Sequence, residues 1–288
     1  MTSEVGFVKS SNNYLIYLNG LPSITVGELI ENDQHQQGLV RSLSSTQVEA
    51  LMLDQGVFIP GSEFKRLGQK LSIPVGDFLL GRALNPLGVP IDDEGLLQKT
   101  KVQLSPLSAP DKGITTREFI KEQLVTGITL IDNILPIGLG QRELIIGDSH
   151  SGINEFLIDL IVNLKGKSVI CIYGLIGKPA SQVKNLLETL KVNQALDHSV
   201  VVASTSTQTA PMIMLTPESV FTIAEYFQGK GQNTLVILDD MGKLANIYRE
   251  ISLLGNNPPG RESYPADSFY LSAHLLERAG KFNPSAGS

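Results

Sequence analysis

Apolar positions fall in short, evenly spaced runs through the first quarter of the chain. Strands are predicted over 14–18 and 24–26, flanking Asn19-Gly20. That pair suits a tight hairpin, because glycine takes positive φ at no steric cost. Further apolar runs at 50–53 and 57–59 are separated by Asp54-Gln55-Gly56. Short strands at this spacing predict a small all-β domain, a barrel or sandwich, over residues 1–72. From 73 to 104 the texture changes to segments punctuated by proline and glycine, including Asn85-Pro86-Leu87-Gly88 and Val89-Pro90, and then a turn at 92–95. This stretch reads as a connection. Over 105–288 strand and helix patterns alternate. Strands are predicted at 143–146, 168–173, 199–203 and 234–238, and helices at 154–164, 180–190 and 217–228, the last with Thr216 as N-cap. Alternation of this kind predicts an α/β domain built on a mostly parallel sheet with helical cover.

The turn between the first of these strands and its helix carries the candidate chemistry. The run Gly147-Asp148-Ser149-His150-Ser151-Gly152-Ile153-Asn154 keeps both glycines of the phosphate-binding pattern G-x-x-x-x-G-K-[ST] in register. Ile153 stands where the pattern has lysine, and Asn154 where it has the hydroxyl that meets Mg²⁺. A lysine in that place makes charge-assisted hydrogen bonds to phosphate worth about 1.5–3 kcal/mol each. Losing one or two costs about 10- to 100-fold in affinity. Isoleucine has no donor and no charge, and an asparagine amide is a weak ligand for a hard cation. Backbone amides at a helix N-terminus still attract anions, so the frame predicts weak or absent nucleotide binding and no catalysis. Read without that frame, the same residues make an ordinary tight strand-to-helix turn. The fourth strand ends in Leu238-Asp239-Asp240. An acid at the C-terminal edge of an apolar strand is how P-loop proteins reach Mg²⁺, which makes Asp239 the candidate metal-side carboxylate; strands also end in Asp simply to start a turn.

Composition narrows the classes. With 288 residues, 42% of them hydrophobic, the chain can bury a full core. A net charge of −6 and the lack of any dense Lys/Arg run argue against a nucleic-acid partner. No apolar stretch approaches the length of a membrane span, so no direct membrane insertion is expected, and residues 1–20 carry no secretory or transit pattern. The single cysteine, Cys171, lies in an apolar run and reads as a small buried hydrophobe. The four histidines are scattered without metal-ligand spacing.

Several longer runs carry a resemblance. Pro136-Ile137-Gly138-Leu139-Gly140-Gln141-Arg142-Glu143 leading into the glycine-framed turn is similar to the segment before the P-loop in alpha subunits of F-type ATP synthases, as is Thr126-Gly127-Ile128-Thr129-Leu130-Ile131-Asp132. So are Pro258-Pro259-Gly260-Arg261-Glu262-Ser263-Tyr264-Pro265-Ala266-Asp267 and Leu275-Leu276-Glu277-Arg278-Ala279. The likeness spans about residues 6–281. It implies a small β-barrel followed by a RecA-like P-loop domain, and a noncatalytic subunit that holds Mg-ATP or Mg-ADP without turnover. The implied partners are beta-type and other alpha-type subunits in a hexameric ring around a central stalk, on the soluble face of an energy-transducing membrane, bacterial or plastid. By the same resemblance the barrel joins a crown, and Pro258, Pro259, Gly260, Tyr264 and Pro265 line an apolar sleeve around the stalk; read alone, they are a proline-rich surface loop.

Departures from the family pattern are as specific as the matches. Ile153 and Asn154 weaken nucleotide binding, and Leu175 stands where beta-type chains carry the catalytic carboxylate. The family continues past Arg278 with the rest of its nucleotide pocket, an arginine that reaches the neighbouring site, and a helical domain. The lead expectation is therefore a structural or regulatory alpha-type subunit. Its alternatives are a self-contained P-loop NTPase, which would need His150 or Lys178 as its phosphate cation, and a nonfunctional relic of an alpha subunit.

Overall fold

A computed structural model describes residues 4–97, 102–107, 113–148, 151–282 and 286–288. Six antiparallel strands come first: β1 (Val5–Asn12), β2 (Leu15–Gly20), β3 (Glu28–Asn32), β4 (Gln37–Leu43), β5 (Val48–Met52) and β6 (Glu63–Lys70). They close into a barrel in the order β1-β2-β5-β4-β3-β6, with β1 pairing β6 to complete the ring. Leu15, Ile16, Leu18, Ile30, Met52 and Phe64 are fully buried in the barrel strands. The expected hairpin at Asn19-Gly20 is absent. Gly20 does take positive φ (95°), but β2 pairs with β1 and β5 rather than with a strand over 24–26. A side chain at Gly20 would lie 2.8 Å from the Val5 carbonyl, so close approach to β1 is what demands glycine there. The run at 57–59 is likewise not a strand: Phe58 is buried while Val57 and Ile59 face outward.

The remaining elements form an α/β unit. β7 (Ser72–Val75) pairs with β9 (Gln103–Pro106), and β8 (Ala83–Leu84) joins the main sheet. That sheet also contains β10 (Val169–Lys178), β11 (Ser199–Thr205) and β12 (Asn233–Asp239), all parallel, in the order β12-β10-β11-β8. Helices α1 (Thr129–Ile134), α2 (Ile153–Asn163), α3 (Ala180–Val192), α4 (Ala210–Met214), α5 (Thr216–Gly229), α6 (Met241–Leu254) and α7 (Ser268–Glu277) complete it.

Alternation along β10 explains the layering, since successive side chains point to opposite faces. Cys171 and Tyr173 meet Leu157 and Ile161 of α2 and Val183 and Leu190 of α3 in one cluster. Ile170 and Ile172 meet Ile223 and Phe227 of α5 in another. Strands covered on both faces read as continuous apolar runs, as 169–173 does. Thr216 is not the N-cap of α5: the residue before it already has helical dihedrals, and the Thr216 hydroxyl donates to Ser204 instead, at 2.7 Å. The capping side chains are Thr209, which opens α4, and Asp240, which opens α6.

The barrel and the α/β unit share a continuous apolar cluster running from Leu15 and Phe64 to Leu244, Ile247 and Ile251 of α6. Hydrogen bonds from the Tyr14 hydroxyl to Glu250 (2.8 Å) and from Thr209 to the Leu53 carbonyl (2.8 Å) fix the join.

Candidate functional site

The glycine-framed turn opens α2 as its spacing predicts. Gly152 sits at the N-cap with φ of 88°, a left-handed conformation that suits glycine, and Ile153 is the first helical residue. The Ser151 amide donates to the Asp148 carbonyl at 3.1 Å, tightening the turn. Ser149 and His150 lie outside the described residues. The expected strand at 143–146 does not form. Those residues belong to no sheet, and Leu144, Ile145 and Ile146 are 71%, 43% and 85% exposed. A strand needs a neighbour's amides and carbonyls, and none stands beside this segment among the described residues.

At the mouth of α2, a side chain built at Gly147 would meet Ser151 Oγ at 2.6 Å and Ile153 Cδ1 at 2.8 Å. The Ile153 side chain therefore folds back over the first glycine of the frame. The cleft there is open and mostly apolar, lined by Ile145, Ile146, Ile153 and Phe156 with Ser151, and no charged side chain lines it among the described residues. Asn154 is exposed, with no hydrogen bond to its side-chain amide among the described residues.

Asp239 ends β12 as expected, and the sheet brings it a partner that sequence reading did not place. In the β10–β12 register, Leu175 pairs with Asp239, and β10 runs on to Lys178. Lys178 Nζ lies 2.6 Å from Asp239 Oδ1 and 3.2 Å from Asp240 Oδ2. The Tyr173 hydroxyl donates to Asp239 Oδ2 at 3.2 Å. Burial pushes the Tyr173 hydroxyl well above its ordinary range, and the Asp239 charge adds to that. At Lys178 burial opposes the charge, but the hydrogen bond and charge of Asp239, with Asp240 behind, outweigh it and raise the ammonium above its ordinary range. The candidate metal-side carboxylate thus faces an internal ammonium. Asp240 also caps α6, its Oδ1 accepting from the Lys243 amide at 2.5 Å. Leu175, which the resemblance aligns with a catalytic carboxylate, is buried, so no general base stands at that place.

The 258–265 loop is braced from one side. Pro258, Pro259 and Gly260 are exposed, Tyr264 is half-buried and Pro265 is buried. The Tyr264 hydroxyl donates to Asn246 of α6 at 3.0 Å, and the Arg249 guanidinium lies 5.1 Å above its ring. The Gly260 amide donates to the Tyr264 carbonyl at 2.8 Å, closing the loop on itself. Just beyond, Arg278 is buried against Glu225 (2.9 Å) and Glu218 (3.0 Å) and also donates to the Leu107 carbonyl. It therefore ties the end of α7 to α5.

No group of His, Cys, Asp and Glu among the described residues has the geometry to hold a metal ion, and no helix among them is long and apolar enough to cross a membrane. Cys171 is buried, and burial pushes its thiol up to about 12.

The profile of the ATP synthase alpha/beta family, nucleotide-binding domain, matches residues 127–288, which contain both the glycine-framed turn and Asp239. The ATP synthase subunit alpha of Macrococcus caseolyticus (strain JCSC5402) is 42% identical over 286 residues. That alignment covers 99% of this chain and 56% of the relative, so the chain spans about half the relative's length. A closed six-stranded barrel leading into a parallel-sheet domain, and a likeness that covers almost every residue, lead to one conclusion: the chain belongs to the ATP synthase alpha/beta family and is of the alpha-subunit type.

Proposed function

We propose that the chain is a noncatalytic structural or regulatory alpha-type subunit of a proton-translocating F-type ATP synthase, with its nucleotide binding weakened or lost. The observation that carries this reading is the apolar mouth of α2. Ile153 replaces the lysine of the phosphate grip and lies against Gly147, and the described lining offers no cation to a triphosphate. Lys178 at 2.6 Å already neutralises the carboxylate that would face Mg²⁺. These residues do not fit a tightly held Mg-ATP or Mg-ADP, and no catalytic step is assigned to them. What nucleotide affinity remains comes from backbone amides at the start of α2.

In this reading the chain divides into a crown barrel (1–72), a connecting segment (73–104) and a nucleotide-binding domain (105–288). The barrel and the 258–265 loop carry assembly. Beta-type and other alpha-type subunits complete a hexameric ring, with Pro258, Pro259, Gly260, Tyr264 and Pro265 against the central stalk. Bracing of Tyr264 by Asn246 and Arg249 supports that role, because a bearing surface needs rigid, mostly nondirectional contacts. The assembly lies on the soluble face of an energy-transducing membrane.

Native co-purification of the tagged chain from its source, with partners identified by mass, tests the proposal. Beta-type and central-stalk subunits are expected in stoichiometric amounts, with negligible ATP turnover by the chain alone. Recovery of the chain by itself overturns the assembly reading. Turnover that disappears on Asp239→Ala overturns the noncatalytic one.

A further inference from the structure

Two carboxylates meet one ammonium at the end of β12, and each carboxylate oxygen there has a donor from the chain itself. Asp239 Oδ1 faces Lys178 Nζ at 2.6 Å, and its Oδ2 accepts from the Tyr173 hydroxyl at 3.2 Å. Asp240 Oδ2 lies 3.2 Å from the same Nζ, and its Oδ1 accepts from the Lys243 amide at 2.5 Å. Hard divalent cations bind through carboxylate oxygens of this kind. The point that such an ion would share between Asp239 and Asp240 is the point that Nζ holds.

Lys178 reaches that point through an irregularity in β10. Tyr173 and Leu175 belong to the cluster under α2 and α3, as does Ile237, two residues before Asp239, whereas Ile176 belongs to the opposite face. Strict alternation would send Lys178 with Ile176, away from Asp239. Instead Leu175 pairs with Ala203 and Lys178 with Thr205, so three steps along β10 match two along β11. A bulge of this kind re-aims a side chain. Gly177 takes up the turn with φ of 60°. Its amide donates to the buried Ser204 hydroxyl at 2.9 Å, which donates in turn to the Leu175 carbonyl at 3.3 Å and accepts from Thr216. The bulge is therefore pinned from inside the sheet. To admit a metal, the fold would have to move a mostly buried ammonium off both acids, and the displaced charge would then repel the ion.

We infer that Lys178 is a resident cation that takes the place of a divalent metal: it sets the Asp239–Asp240 edge to exclude Mg²⁺ and Mn²⁺, and its removal opens a cation site there. The assignment rests on the noncatalytic reading above, in which Asp239 is the acid that would face Mg²⁺, and it names what displaces the metal.

The probe is Mn²⁺ alone, titrated into the full chain and followed by loss of the free ion's electron-spin-resonance signal. The unaltered chain is expected to show no site that Asp239→Asn removes. Lys178→Met is expected to bind one Mn²⁺ about tenfold or more tightly than the unaltered chain does, and adding Asp239→Asn should abolish that gain. Lys243→Met removes a neighbouring lysine of equal charge, whose Cε stands 3.1 Å from a side chain built at Gly177. It should behave as the unaltered chain. If Lys178→Met does not fold, Lys178→Gln, which keeps a donor without the charge, decides in its place. A single Mn²⁺ site in the unaltered chain that Asp239→Asn abolishes overturns the assignment. So does a folded Lys178 variant that gains nothing, or an equal gain in Lys243→Met, which would be a general loss of positive charge. Because no nucleotide is present, failure here leaves the weak nucleotide binding that rests on Ile153 untouched. Tight binding of metal-free ATP would overturn that reading and leave this one standing.

Discussion

The two halves of this molecule solve the same problem to different degrees. In the barrel every strand has two neighbours, because β6 returns to β1, and a closed ring has no edge to protect. Its strands need only one apolar face, so β1 and β6 carry Lys9, Lys65 and Arg66 without loss. The parallel sheet has helices on both faces but ends on one side at the two-residue β8 and on the other at β12. Apolar residues there outnumber the neighbours available to cover them. The barrel is thus complete in itself, while the α/β unit exposes an edge strand, the 144–146 run and the mouth of α2 together. Open backbone and open apolar surface are where binding and assembly take place.

This comparison can be broken by mutation. Phe64→Ala, at the fully buried centre of the barrel, should cost about 3–5 kcal/mol, because a closed ring cannot collapse onto the cavity. Leu235→Ala in half-exposed β12 should cost about 1–2 kcal/mol, since its surroundings can relax. Urea unfolding of the two variants checks the pair, and equal costs would erase the distinction. Arg278→Met should rank with the first, at about 3–5 kcal/mol, because it leaves the carboxyls of Glu218 and Glu225 without the guanidinium that pairs them. Adding Glu225→Leu should recover part of that loss in the same assay.

Smaller effects separate the halves by pH. The Arg66 hydrogen bond, working against the cost of burial, holds the Glu28 carboxyl down at about 2, against an ordinary 4.5. Its contribution is fully present above pH 4.5 and is lost as pH falls toward 2. Lys178 is shifted the other way, upward from 10.5, so its pairing with Asp239 stabilises fully below that value and fades as pH rises above it. Glu28→Gln should flatten the acid limb of the stability–pH curve and leave the alkaline limb alone, and Lys178→Met should do the reverse. Thermal melts across pH measure both, and a Glu28→Gln curve unchanged in acid would contradict the barrel assignment.

Much of this was legible in the chain, for reasons that can be named. The strand–turn–helix order around Gly147 and Gly152 and the apolar runs of β10, β11 and β12 are local signals, and they located a parallel-sheet domain. β1, β3, β4 and β6 were not legible, because barrel strands with a polar outer face break simple alternation, and in β1 a bulge between Val8 and Ser10 breaks it further. The 143–146 run misled for the opposite reason: its residues suit a strand, but a strand also requires a neighbour. β10 continues past the predicted end at 173 because Gly174 lets α5 approach closely; a side chain there would meet Val220 at 2.7 Å. The Lys178–Asp239 pair joins residues 61 positions apart through strand register, which no motif records.

Nucleotide titration bears most directly on the functional reading. Mg-ATP binding would be measured by calorimetry for the chain and for Ile153→Lys combined with Asn154→Thr, which restores the phosphate-grip pattern at the mouth of α2. The account predicts weak binding by the chain and an affinity about 10- to 100-fold higher in the double variant. Binding by the unaltered chain as tight as that of the variant would contradict it.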